Sequence, residues 1–365
     1  MIFDPIQVCG LDLRNRFVRS ATQEFMAEED GTPTERLGDL YEELAKNEVG
    51  LIVTGYAYVL SGGRSDSFQQ GIYSDRFIEP YRKITGRVHR RKGKIVLQIV
   101  HGGRQATVSK DYPVPIAPSA IKDSRSAVTP REMSENEILD MIEAFVAAGD
   151  RAKKAGFDGV QLHCAHGFLL SNFLSPYTNR RTDRWGGSVE NRARIVTEIV
   201  RGIKEKAGAD FPVLAKLNAT DGFRPGSPKA KLALDAPECA EIAKILEKAG
   251  ICALEISGGI SEAGSVTIKA AINSRAKEAY FKEYSKLIKE AVEIPVILVG
   301  GIRSVSLMRK LLEEGYADMI SMSRAFICEP DLIPKIKTGE VEKARCVSCN
   351  LCFDIKGIRC NFEFD

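Results

Sequence analysis

The sequence predicts an α/β protein built as a single (β/α)8 TIM barrel. Three observations carry this reading. A short apolar, β-branched run, then a loop, then an amphipathic stretch recurs eight times along the chain. No low-complexity or linker-like segment interrupts the recurrence. The 365 residues are long for one domain, but barrels of alternating strands and helices reach this size as one unit. An open doubly wound sheet is the competing architecture, yet no GxGxxG follows an early strand.

The strand-like runs fall at 17–21, 50–56, 94–101, 159–166, 212–219, 253–258, 295–300 and 319–326. The helix-like stretches lie near 34–47, 76–92, 135–155, 188–207, 236–249, 277–292, 304–314 and 329–338. End signals support several of them. Ser134 precedes Glu137 at the capping-box spacing, Ser304 reads as an N-cap, and Gly315 reads as a stop. The segments 102–134 and 167–187 become long loops after strands 3 and 4, and long loops in a compact domain often act as lids. The barrel is expected over 1–340, with a short Cys-rich tail over 341–365.

Composition excludes several classes. Hydrophobic residues make up 44% of the chain and the formal net charge is +3, so nothing marks a nucleic-acid partner. The basic run 87–94 reads as a helix C-terminus followed by a Gly stop. The first residues show neither a basic nor an apolar signal region, and no apolar run is long enough to span a membrane. A cytoplasmic protein acting on a small molecule is expected. In that compartment the nine cysteines are expected to be reduced, five of them as scattered core thiols.

In such a barrel the chemistry sits at the C-terminal strand ends. Thr22 and Gln23 follow strand 1, and strand 2 ends at Thr54, Gly55 and Tyr56. Strand 3 carries Gln98 and His101, strand 4 His163 and His166, and strand 5 Lys216. Strand 7 ends at Gly300 and Gly301, with Arg303 beyond, and strand 8 at Ser323 and Arg324. Three of the four histidines thus fall on one rim. His163 and His166 lack a nearby carboxylate of the His-Glu-x-x-His kind, which disfavours a metal. A substrate clamp and a pair of core histidines remain open.

Taken together, the motifs NRFVRSAT (15–22), LQIVHGGR (97–104), HCAHGF (163–168), FLSPYTNRRTDRWGG (173–187) and SRAFICEPD (323–331) resemble the Old Yellow Enzyme family of FMN-dependent NAD(P)H oxidoreductases. The resemblance covers about residues 1–340. It implies FMN as cofactor and NAD(P)H as co-substrate, with hydride transfer in ping-pong order to an α,β-unsaturated carbonyl compound. Gln98 would bond the flavin pyrimidine edge, since an amide offers both a donor and an acceptor. Lys216, where the family often has Arg, would place a cation beside that edge. Ala21 and Gly55 would let the ring lie against backbone. Gly300, Gly301, Arg303, Ser323 and Arg324 would receive the phosphate. His163 and His166 would donate hydrogen bonds to the substrate carbonyl and stabilise the developing enolate. Many family members assemble as dimers or larger, so a homo-oligomer is expected.

Two departures matter. Phe168 stands where the family commonly has the Tyr that protonates the alkene carbon, so either the proton comes from Tyr177, Tyr56, Tyr58 or water, or alkene reduction is not the natural reaction. Direct counting places Gln23 at the position that usually tunes the flavin O4 and N5, with Thr22 one residue away.

The tail holds Cys346, Cys349, Cys352 and Cys360, a C-x2-C-x2-C run and a fourth thiol after seven intervening residues. It resembles the [4Fe–4S] ligand run of the 2,4-dienoyl-CoA reductase and trimethylamine dehydrogenase branch. A cluster, a zinc site with four thiolates and uncoordinated thiols all remain open. Two other activities stay in view. One is amine or N-methyl dehydrogenation, as in that branch. The other is a non-flavin lyase using Lys216 as a Schiff base.

Overall fold

The computed structural model describes residues 1–364. Eight parallel strands close on themselves: β1 (Phe17–Arg19), β2 (Leu51–Val53), β3 (Ile95–Val100), β4 (Gly159–Cys164), β5 (Val213–Asn218), β6 (Leu254–Ser257), β7 (Val296–Val299) and β8 (Met319–Met322). Each pairs with its successor, and β8 pairs back to β1 through Ile320↔Phe17 and Met322↔Arg19. The strands are buried on both faces, as parallel strands covered by helices must be, which is why they read as near-continuous apolar runs.

The main crossing helices are α1 (Glu35–Lys46), α2 (Ile78–Arg90), α3 (Glu135–Lys154), α4 (Val189–Ala207), α5 (Ala236–Ala249), α6 (Lys282–Lys289), α7 (Val305–Glu313) and α8 (Leu332–Lys337). The Ser134–Glu137 capping box forms at the start of α3. Ser304 stands at the N-cap of α7, but its hydroxyl turns to Glu278 Oε1 at 2.6 Å instead of capping. Glu278 also accepts from the backbone N–H groups of Arg303 and Ser304, at 2.7 and 2.8 Å. That task holds 275–281 out of the helix, so α6 is much shorter than the periodicity of 277–292 suggests. A short helix, Arg324–Cys328, takes over where the run 319–326 predicts strand.

An antiparallel hairpin, Ile6–Val8 with Leu11–Leu13, turns through Cys9 and Gly10 at φ 58° and 77°. Its Val8 and Leu13 pack on Val18, Leu51, Val96 and Leu214, so the hairpin plugs the barrel's N-terminal end. Cys9 is disulfide-bonded to Cys252, just before β6. This corrects the expectation of reduced thiols: the fold brings together two cysteines 243 residues apart. The tail packs on the opposite rim, where Ala344 N donates to Arg303 O at 3.0 Å and Ile358 N to Glu24 O at 2.8 Å. Among the described residues, no helix is long and apolar enough to cross a membrane.

Candidate active site

The C-terminal strand ends surround a cavity of about 670 Å³, ample for a cofactor and a small substrate. Of the residues singled out in the sequence, Ala21, Thr22, Gln23, His163, His166 and Lys216 line it. So do Gly301, Arg303, Ser323 and Arg324. Gly55, Gln98, Gly300 and Tyr177 stand outside its wall.

His163 and His166 come from the end of β4 and meet edge to face. Burial pushes both imidazoles well below their usual pKa, and the nearby positive charge of Lys216 adds to this, so both rings are neutral at neutral pH. His163 Nδ1 accepts from the Ala165 N–H at 3.4 Å, which puts the ring proton on Nε2. His166 Nε2 lies 2.8 Å from Ser257 Oγ, and its backbone N–H donates to Asn218 Oδ1 at 3.1 Å. That bond holds His166 at φ 64°, a conformation uncommon for a non-glycine residue. The third rim histidine, His101, is a core residue: its Nδ1 accepts from the Gly103 N–H at 3.0 Å, and its ring fills the space beside Gly63.

Phe168 packs 4.7 Å from His163, with Tyr56 5.3 Å from Phe168. The Tyr56 hydroxyl donates to Asp66 Oδ2 at 2.9 Å, and both residues line the cavity. Tyr177, one of the candidate proton donors from the sequence, instead packs 4.8 Å from Phe223 with Arg180 over its ring. Asp66, Gln105 and Arg125 are cavity residues that the sequence did not reveal. Gln105 Nε2 donates to His166 O at 2.8 Å, and its Oε1 accepts from Arg125, so the loop after β3 is tied directly to the histidine pair.

A buried polar network lies behind the wall. Lys216 and Glu255 are register partners on β5 and β6, with Nζ 3.3 Å from Oε1. Glu255 Oε1 also accepts from Ser20 Oγ at 2.7 Å and Ser321 Oγ at 2.8 Å, and Oε2 from Gln161 Nε2 at 3.0 Å. Gln161 Oε1 accepts from Gln98 Nε2 at 2.6 Å. Among the described residues, Gln98 Oε1 is buried without a partner. Burial pushes the Glu255 carboxyl up, but Lys216 and these hydrogen bonds outweigh it and hold it below the ordinary range. The Lys216 Nζ is engaged by Glu255 and by Ser20 Oγ at 2.8 Å, which argues against a Schiff-base nucleophile, since that chemistry needs a free amine. Gly55 serves a different need: a Cβ there would lie 1.8 Å from Glu24 Oε2.

At the far end, Arg303 hydrogen-bonds Ala344 O at 3.2 Å, and its Nε is buried without a partner among the described residues. Arg324 Nη1 reaches Lys269 O at 2.9 Å and Asn350 Oδ1 at 2.6 Å. Two guanidinium groups beside Gly301, at φ 67°, give this end of the cavity a positive charge that suits an anion. Thr22 Oγ1 is hydrogen-bonded to Ser323 Oγ, and Gln23 Nε2 to Ser67 O at 3.4 Å. A buried cation on the wall, an unpartnered amide acceptor directly behind it and a positively charged end together fit FMN.

Cys346, Cys349, Cys352 and Cys360 surround a second, narrow cavity, joined by Cys328, which the spacing did not suggest. Burial raises the Cys352 thiol to about 11 and also raises Cys346. Among the described residues, no three His, Cys, Asp or Glu side chains converge to hold a metal ion.

Residues 1–343 match the NADH:flavin oxidoreductase / NADH oxidase family. The NADH oxidase of Thermoanaerobacter brockii is 36% identical over 96% of this chain and 53% of its own length. The NADPH dehydrogenase of Bacillus subtilis is 33% identical over 90% of this chain and 92% of its own length. A solved 2-naphthoyl-CoA reductase in complex with 2-naphthoyl-CoA superposes with a TM-score of 0.86 at 27% identity, over 94% of this chain and 53% of that one. The chain thus spans about half the length of several relatives it matches, and most of the length of others.

Proposed function

The chain belongs to the NADH:flavin oxidoreductase / NADH oxidase family, and from that premise we propose that it reduces the electron-poor C=C bond of an α,β-unsaturated carbonyl compound at the expense of NAD(P)H. Bound FMN would supply the hydride chemistry, taking two electrons from NAD(P)H and passing them on. Gln98 and Lys216 would hold its pyrimidine edge, and Gly301, Arg303 and Arg324 its phosphate. Gly300, next to Gly301, would widen that turn. NAD(P)H and the acceptor would use the same cavity in turn, which gives ping-pong kinetics.

The observation that carries this reading is the pair of neutral histidines in the cavity. His163 presents Nε2–H, and Ser257 and Asn218 hold His166 in place. Two neutral donors can bind a carbonyl oxygen and strengthen their hydrogen bonds as negative charge develops on it. Phe168 cannot donate a proton, and the Tyr56 hydroxyl is in the cavity beside it. Tyr56, with Asp66 behind it, is the proton donor in this reading. The test is anaerobic: NADH or NADPH should bleach the flavin and 2-cyclohexenone should restore its colour. A flavin that NAD(P)H bleaches but no enone reoxidises would rule out alkene reduction.

A second reading, oxidation of an N-methyl amine, draws on Asp66 beside the faces of Tyr56 and Phe168, a setting that suits an ammonium group. Bleaching of the flavin by dimethylglycine, without NAD(P)H, would favour it. No step in either reading is routed through the C-terminal thiols.

A further inference from the structure

Glu255 is a fully buried carboxylate in the middle of the barrel, below the cavity wall. Such a group is costly to bury unless it has a task. Its contacts reach both side chains assigned above to the pyrimidine edge, Lys216 directly and Gln98 through Gln161.

The chemistry of the relay fixes its direction. An ionised carboxylate only accepts hydrogen bonds. Gln161 must therefore turn its NH2 toward Glu255, which leaves its carbonyl facing Gln98. Gln98 must then spend its own NH2 on Gln161. Its carbonyl oxygen is left over, and that is the buried acceptor without a partner. An amide alone could point either way, but two amides anchored on a carboxylate cannot. The same carboxylate cancels a charge: Lys216 lines the cavity, yet its ammonium is paired with Glu255 and bonded to Ser20 Oγ at 2.8 Å. Lys216 is therefore not the free cation that its position on strand 5 suggests.

We propose that Glu255 is the positioning residue for the cofactor's pyrimidine edge: it sets Gln98 as an acceptor for a ligand N–H and neutralises Lys216. This rests on the reading that Gln98 and Lys216 face that edge. It identifies the ligand end as one that presents an N–H donor, as the N3–H of an oxidised flavin does, and it assigns a role to a residue that need not touch the cofactor.

The test uses Glu255→Gln in the full chain, loaded with FMN. The amide removes the charge and lets the relay reverse. FMN is expected to bind about tenfold more weakly, because a reversed relay sets donor against donor. Lys216, no longer neutralised, should raise the flavin midpoint potential and tighten the sulfite adduct about tenfold. The double variant Gln161→Glu/Glu255→Gln returns an acceptor-only group to the relay, one position nearer Gln98. It should recover wild-type FMN affinity. Unchanged FMN affinity, potential and sulfite affinity in folded Glu255→Gln would overturn the inference, as would a double variant that binds no better than the single one. If neither variant folds, the unaltered protein decides: the N3–H of 15N-labelled FMN should be hydrogen-bonded and protected from exchange, and an N3–H that exchanges as in free FMN overturns the inference. Wild-type chain that takes up no FMN would fail the cofactor reading itself, and is told apart by needing no variant.

Discussion

His163 and His166 meet edge to face, their ring centroids 5.1 Å apart and their planes at 82°. Two charged imidazoles could not sit this close in a buried site without strong repulsion, so at most one could carry charge, and burial disfavours charge on either. It follows that His163→Ala removes one neutral donor and leaves the cofactor end intact. Enone reduction is expected to fall by about 10²- to 10³-fold, with FMN content unchanged. The reductive half-reaction, followed by stopped flow, should stay within about threefold of wild type, since it does not use the carbonyl clamp. Full enone turnover in this variant would return the pair to the core-histidine reading.

Tyr56 and Tyr177 make opposing predictions. The Tyr56 hydroxyl is in the cavity, bonded to Asp66, while Tyr177 packs away from it on Phe223. Tyr56→Phe should cut the oxidative half-reaction by about 10²-fold, the usual scale for a lost general acid. Tyr177→Phe should leave it within about threefold. The reverse ranking would mean that the loop after β4 closes over the substrate and brings Tyr177 in.

The contact between Gly55 and Glu24 predicts a loss of stability, not of chemistry. Glu24 is buried and held by Arg19 at 2.7 Å, Tyr41 at 2.8 Å, Gln70 at 3.1 Å and the Gly55 N–H at 2.9 Å. The Cβ of Gly55→Ala would displace that carboxylate and break a buried ion pair. We expect a loss of about 3 kcal/mol or more, read from denaturant unfolding. Weakened FMN binding at unchanged stability would instead restore Gly55 to the flavin wall.

The barrel was legible because each strand is a compact apolar run and each helix is amphipathic, so the period alone separates them. His163, His166 and Lys216 were legible because barrel geometry puts strand ends on one rim. Glu255 and Gln161 were legible in principle: each is a polar residue between two apolar neighbours in a buried strand, where burial demands partners. Asp66, Gln105 and Arg125 were not. They reach the cavity from loops whose path no periodicity records. Cys328 was missed for a similar reason, since it joins the tail thiols across space and outside their spacing.

The Cys9–Cys252 bond ties the hairpin plug to the barrel across 243 residues. Such a link restricts the unfolded chain far more than the folded one. Cys9→Ser should lower stability by about 2–4 kcal/mol, and a reductant should lower the thermal midpoint of the wild type but not of the variant. Equal midpoints with and without reductant would show that the bond contributes nothing.

Acid should destabilise the fold, because buried histidines and carboxyls held below their ordinary range outweigh one raised aspartate. Burial holds His101 down from 6.5 to about 4. The unfolded chain therefore takes up its proton first, and this contribution, full above pH 6.5, is lost as the pH falls toward 4, a difference of roughly 3 kcal/mol. His163 and His166 are shifted the same way and add to it. Asp221 opposes them. Burial raises its carboxyl from 3.8 to about 6, so the folded chain binds that proton first and gains a similar amount between pH 6 and 3.8. His101 and Asp221 nearly cancel, so His163, His166 and the carboxyls held below their ordinary range, Glu255 and Glu137 among them, set the sign together. Unfolding free energies are therefore expected to fall from pH 7 to pH 4.5. In Asp221→Asn the fall should be steeper, because the opposing group is gone. Wild-type protein more stable at pH 4.5 than at pH 7 would contradict the neutral, buried state of both His163 and His166.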